Sequence, residues 1–229
     1  MVTHANSAIA PGSLADRDLR QRELVPPAKL ATCRITVVGV GAIGRQVALQ
    51  LAAMGAPRIQ LVDHDRVETV NLAPQGYFPA DIGSPKVQAT AALMAQVNTE
   101  VQVMALQERF RRSRPDHGNV VLLCVDSIET RRHIFDALVH QCDFLCDGRM
   151  SAEVLRVLTM TDLGSRTHYP TTLFAASEAF AGSCTAKSTL YCASVAAGLM
   201  VGQFTQWLRG LSCQQDMTLN LLSSELIVP

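Results

Sequence analysis

The chain has 229 residues, of which 48% are hydrophobic, 5% aromatic and 17% charged, with 20 basic and 20 acidic side chains. That length suits one sizeable α/β domain and excludes two ordinary ones plus a linker. A formal net charge of zero gives no overall attraction to nucleic acid or to an anionic membrane surface, and the apolar run 195–204 is too short to span a bilayer.

Residues 1–30, a polar stretch punctuated by Pro11, Gly12, Pro26 and Pro27, read as an N-terminal arm or short helix ahead of a single domain over 31–229. The β-branched run 33–41 reads as a buried parallel strand. Ile43, Val47, Leu51 and Met54 then recur at helical spacing, and Gly55 is a natural stop. A second strand follows over 58–63, and 84–98 reads as a helix with Ser84 as N-cap and Pro85 at the first helical position. Strands are expected at 101–107, at 119–126 ending on Asp126, and at 143–148, with a helix over 130–141. Strands alternating with helices imply right-handed crossovers and a Rossmann-like, doubly wound, mainly parallel sheet. The pattern changes after that. Residues 152–162 read as a longer strand, 163–187 as an irregular crossover loop, 188–210 as a long apolar helix and 217–228 as a strand or hairpin, giving antiparallel C-terminal strands. A loop of that length inside a compact domain is either functional or disordered.

The seven cysteines (33, 124, 142, 146, 184, 192 and 213) contain no Cys-x-x-Cys pair, which argues against structural zinc. Their odd number, without a signal peptide, points to a reducing, cytoplasmic setting. Gly39, Gly41 and Gly44 form G-x-G-x-x-G between a strand and a helix: a tight turn, a close approach for a phosphate-bearing ligand, and a helix N-terminus with free N–H groups. Asp63 ends the second strand, where such folds place the acid that accepts hydrogen bonds from ribose. A dehydrogenase would share those features, but two others favour a triphosphate. Lys86 starts a helix, a poor match to its dipole, and so calls for an anionic neighbour. Asp126 lies at the ligand edge of the sheet, where a lone carboxylate beside phosphates suits Mg²⁺.

The stretches GVGAIG, DHDRVETVNLAPQ, DIGSPKVQATAALMAQVN and CVDSIETR, in this order, resemble the ThiF/MoeB/HesA adenylation family, which includes the ubiquitin-activating enzymes. The resemblance is good over about residues 20–150. It implies adenylation of a carboxylate with ATP and Mg²⁺, releasing pyrophosphate, the substrate being the C-terminal glycine of a small ubiquitin-like protein or peptide. Gly41 would then line the phosphate path, Asp63 hold the ribose, Asn71 and Lys86 the phosphates, and Asp126 the metal ion. Arg131 matches the family's Asp-x-x-x-x-Arg pattern, with Ser127 in place of its usual Asn. The family is usually dimeric, so a homodimer is expected, with an arginine crossing from the other copy's arm: Arg20 first, Arg17 or Arg22 as alternatives. A conjugating enzyme could follow as a further partner; membrane and nucleic acid are not expected partners.

Three departures qualify the resemblance. Pro74 replaces the arginine of the family's Asn-Leu-x-Arg-Gln turn, removing a phosphate-facing cation, for which Arg45 and Arg149 are candidate substitutes. The family's frequent zinc site is absent. In the crossover region, where many relatives carry a nucleophilic cysteine, Cys184 at a helix start with Lys187 nearby could form a thioester, with His168 and Glu178 as possible assistants; the alternative is a buried small hydrophobe. Asp65 is expected to fix its turn or serve the metal region. Rival readings are adenylation of a tRNA-borne carboxylate or a peptide antibiotic precursor, and a catalytically weak nucleotide-binding scaffold subunit.

Overall fold

The computed structural model describes residues 17–114, 116–174 and 188–229. Residues 17–25 fold back on their own domain, with Val25 buried, and lead into the short helix α1 (Pro27–Ala31). The apolar run beyond Cys33 forms β1 (Ile35–Val38), buried at every position, followed by α2 (Ala42–Ala53) and β2 (Arg58–Val62). A short turn of helix, α3 (Leu72–Gln75), precedes α4 (Lys86–Val97), β3 (Gln102–Leu106), β4 (Val120–Leu123) and α5 (Ile128–Leu138). The C-terminal part comprises β5 (Phe144–Ser151), β6 (Val154–Met160), α6 (Leu163–His168), α7 (Leu190–Arg209), β7 (Asp216–Asn220) and β8 (Glu225–Ile227).

The strands make one sheet in the order β3-β2-β1-β4-β5-β6-β7-β8. The pairings from β3 through β5 are parallel, and those of β6, β7 and β8 antiparallel, which is the expected mixed architecture. Alternation along the buried strands divides the core in two. Ile35, Val37, Ile59, Leu61, Val120 and Leu122 pack with α2 and α7 on one face; Val38, Val62, Val121 and Leu123 pack with α5 on the other. The chain winds from β1 to β2 and β3 on one side and then to β4 on the other. The edge between β1 and β4 is therefore the topological switch point, where such sheets bind ligands beyond the strands' C-terminal ends.

Several boundaries differ from the sequence reading. Ser84 is not the N-cap of α4: Pro85 takes that place in an extended conformation (φ −57°, ψ 132°) with no side-chain cap. Ser84 is drawn away because its carbonyl accepts from Val67 N (2.9 Å) beside an antiparallel bridge between Arg66 and Pro85. β4 stops at Leu123, so Asp126 stands three residues beyond the strand in the loop before α5, whose N-cap Ser127 accepts from Thr130 N. The stretch after Asp162 is not irregular throughout. Asp162 and Ser165 cap each other and start α6, and Pro170 opens a 3-10 turn over Tyr169–Thr172. The remainder of the expected crossover loop, with Glu178, Cys184 and Lys187, lies outside the described residues.

Candidate active site

At the switch point the register puts Val38 level with Val62 and with Leu123, so Gly39, Asp63 and Cys124 lie side by side one residue past the strands. Gly39 has φ +85°, and a Cβ there would meet the Cys124 carbonyl oxygen at 2.7 Å; one at Gly44 would meet the Gly39 oxygen at 1.8 Å. Both glycines are therefore demanded by the fold itself. Gly41 is different, since a Cβ there would come no closer than 3.9 Å to anything, the nearest group being the Gln75 amide. Its missing side chain is not a packing requirement, and it leaves open the approach to the N-terminus of α2. Gly41 is also the N-cap, and no side chain caps the first turn, so its amides are available to an anion.

The wall on the β2 side is built from the loop over 63–86. Asp63, 9% exposed at its side chain, accepts from Val40 N through Oδ2 (2.8 Å) and from Asp65 N through Oδ1 (2.9 Å). It is Asp63, not Asp65, that fixes the turn: its carboxylate ties the glycine loop to the end of β2. Asp65 instead receives Lys86 Nζ at 3.1 Å, and its carbonyl accepts from Lys86 N. The anionic neighbour that Lys86 needs at the start of α4 is thus an exposed carboxylate. Asp63, His64 and Asp65 cluster closely enough to share a cation, though the Lys86 ammonium already sits on Asp65. Asn71 accepts from Glu68 N through its amide oxygen (2.9 Å), and among the described residues its NH₂ has no acceptor.

Two residues of this wall escaped the sequence reading. Tyr77 is buried, and its hydroxyl donates to the Val40 carbonyl (2.6 Å) and pairs with Thr90 (3.2 Å); burial pushes it up to about 12. Gln75, on α3, is the group nearest Gly41. The signal was present in the sequence QGYF that follows the turn, but nothing in its spacing shows that the ring returns to the glycine loop. Arg45, a candidate for the cation missing at Pro74, does not face the open crevice. It is 1% exposed, with its guanidinium 4.0 Å from the centre of the Tyr77 ring and 5.7 Å from that of Phe78. Burial lowers its pKa, and the fields of Tyr77 and Asp81 oppose that shift.

On the β4 side Asp126 is exposed, between two anchored neighbours: Arg131 holds the Val125 carbonyl and Ser127 caps α5. Asp147, fully buried, accepts from Arg131 Nη1, from Arg149 Nε (2.7 Å) and from the Tyr169 hydroxyl (2.9 Å). Arg149 further donates to the Thr172 carbonyl (2.8 Å) and hydroxyl (3.0 Å). The other candidate substitute is therefore committed to a buried network and serves the fold. His168 is likewise engaged: its Nε2 lies 2.8 Å from Asp216 Oδ2 on β7. In the arm, Arg17 donates to the carbonyls of Ala52 and Ala53 (2.9 and 3.0 Å) at the far end of its own α2, whereas Arg20 is exposed. Of the described cysteines, Cys146 is pushed up to about 12 and Cys33 and Cys142 to about 11, in each case chiefly by burial, as suits small hydrophobic side chains.

Comparison with known proteins bears on the family and the fold. The sulfur carrier protein ThiS adenylyltransferase of Escherichia coli K12 is 34% identical over 116 residues, covering 48% of this chain and 46% of that protein. The molybdopterin-synthase adenylyltransferase of Haemophilus influenzae is 27% identical over 135 residues, covering 56% and 54%. The matched stretch thus spans about half the length of these relatives. Among solved structures, PaaA superposes with a TM-score of 0.74 at 18% identity, covering 99% of this chain and 76% of that one. Escherichia coli MccB with ATP gives 0.69 at 14% identity, covering 88% and 65%. These two show the same fold. Residues 17–225 match the ThiF family, and the chain belongs to it.

Proposed function

We propose that the protein uses ATP and Mg²⁺ to adenylate the C-terminal carboxylate of a small ubiquitin-like protein or peptide. The observation that supports this most is the meeting, at one switch point, of three features: the uncapped start of α2 behind Gly41, Lys86 on an exposed carboxylate, and Asp126 across the crevice. The relative named for ThiS adenylation supports a small carrier protein as the substrate class.

In this reading the carboxylate oxygen bonds to the α-phosphorus of ATP while that phosphorus parts from its bridging oxygen, and pyrophosphate leaves with the electron pair. The α2 amides receive phosphate oxygens, and Lys86 turns from Asp65 towards the same charge. Asn71 donates its NH₂, and Asp63 offers its remaining lone pairs to the ribose. Asp126 would hold Mg²⁺ together with the phosphates, a donor set that suits this ion, which when bound neutralises polyphosphate charge. The protein's task is to position the reactants and stabilise charge.

A homodimer in the cytoplasm completes the reading. The arm packs at the end of α2 remote from Gly41, roughly 18 Å away at 1.5 Å per residue, so Arg20 serves the site of a second copy. Cys184 then takes the acyl group: its thiolate attacks the acyl carbonyl and AMP leaves. A conjugating enzyme would accept the product.

The test is exchange of labelled pyrophosphate into ATP with candidate proteins ending in glycine. Exchange that depends on the candidate and is lost in Asp126→Ala is expected, as is a reductant-sensitive conjugate lost in Cys184→Ala. Absence of exchange with every candidate would favour a nucleotide-binding subunit without catalysis.

A further inference from the structure

Arg45 is 1% exposed, yet its Nε, Nη1 and Nη2 have no hydrogen-bond partner among the described residues. One buried charged donor without an acceptor is costly, and three on a single group call for a compensating anion. The aromatic contacts compensate in part. No carboxylate among the described residues does: Asp81, the acid whose field raises the pKa of Arg45, accepts the backbone N–H of Phe78 through its Oδ2.

The position of this cation indicates which anion it suits. Arg45 N donates to the carbonyl of Gly41, the N-cap of the twelve-residue α2 (3.1 Å), and side chains on a helix lean towards its N-terminus. The guanidinium therefore lies over the start of α2, on a ring whose hydroxyl is bonded to Val40 in the glycine turn. Beside Gly41 a second side chain has a buried atom, Gln75 Oε1, without a partner among the described residues. The outer wall of the enclosure is Phe78, 52% exposed, two residues after Gly76 in the left-handed region (φ +72°). That wall faces solvent and is the one able to give way.

We infer that Arg45 supplies a charged fork to the polyphosphate of ATP at the start of α2, exchanging its place against Phe78 for phosphate oxygens. It thereby provides a cation next to the turn that carries Pro74. The inference rests on the proposed adenylation reading only in taking ATP as the ligand. Arg45 would act as a binding residue whose cost in the free protein is recovered when the nucleotide enters.

The experiment is calorimetric binding of ATP and of adenosine to the full chain, for wild type, Arg45→Met, Pro74→Arg and the double variant. Hydrogen bonds to a charged group are strong enough that Arg45→Met should weaken ATP by roughly tenfold or more. Adenosine binding should stay within about twofold, and the added Pro74→Arg should restore most of the loss. ATP binding within about twofold of wild type in Arg45→Met would overturn the inference and leave the adenylation reading standing; no ATP binding by wild type would overturn both. Should Arg45→Met not fold, Pro74→Arg alone decides. With Arg45 already serving the phosphates, it should change ATP affinity by less than about threefold, and a gain of about tenfold would show that the site lacked a cation and that Arg45 is not it.

Discussion

Two arginines occupy the same place on the two helices that begin at the crevice. Arg45 and Arg131 each lie four residues after an N-cap, Gly41 and Ser127, and each donates its backbone N–H to that N-cap carbonyl (3.1 and 3.0 Å). Both are buried, and burial lowers the pKa of each. Their partners differ completely. Arg131 is held by Asp147 and by the carbonyls of Val125 and Gly148, whereas the Arg45 guanidinium has no acceptor among the described residues. The wall that carries Asp126 is thus internally compensated and fixed, while the wall beside the glycine turn holds a cation whose counter-charge must come from elsewhere. Burial alone would have assigned both residues to the same structural role; the accounting of donors separates them.

The largest expected effect lies on the compensated wall. Asp147→Asn keeps the shape of the hub but leaves Arg131 and Arg149 without their carboxylate, and removing one partner from a buried pair costs about 3–5 kcal/mol. Urea denaturation should register a loss of that order. Arg45→Met should behave in the opposite way, since it removes three unpaired donors and keeps an apolar stem against Tyr77. The free protein should lose no more than about 1 kcal/mol, because removal of orphaned polar atoms offsets the lost cation–π contact. A loss as large as that of Asp147→Asn would erase the distinction between the two sites.

The parallel half was legible because its signals are local. The continuous apolar run of β1 and the helical spacing in α2 are set by neighbouring residues, and the three glycines stand together in one turn, although the contact that demands Gly39 comes from Cys124. The parts that were not legible depend on distant partners. Lys86 was recognised as needing an anion, but its pairing with Asp65 depends on the Arg66–Pro85 bridge that closes the loop between them. Arg45 was named as a candidate cation, but not its ring floor, which Tyr77 supplies from within that loop. α6 falls in the stretch expected to be irregular; the reciprocal cap of Asp162 and Ser165 starts it despite Gly164, and Pro170 falls where a 3-10 turn tolerates it. Asp147 ends the same kind of apolar run as Asp63, but only the packing of α5 beside β5 reveals it as a hub.

A third arginine–acid group, nearer the surface, tests how far burial governs this contrast. Arg156 donates two hydrogen bonds to Asp216 (2.8 and 2.6 Å), and His168 approaches the same carboxylate. Burial works to raise the Asp216 pKa, but the bonds from Arg156 and His168 outweigh it, and the net shift is below the usual 3.8. A carboxylate depressed on folding adds stability above its unfolded pKa and loses it as pH falls through the folded value. The stability difference between wild type and Asp216→Asn should therefore be constant near neutrality and shrink only below about pH 4. With the Arg156 side chain 37% exposed, solvent screening should hold its size near neutrality to about 1 kcal/mol or less. Denaturation curves at several pH values would measure it, and an effect approaching that of Asp147→Asn would mean that pairing geometry, rather than exclusion of water, sets the strength of these arginine sites.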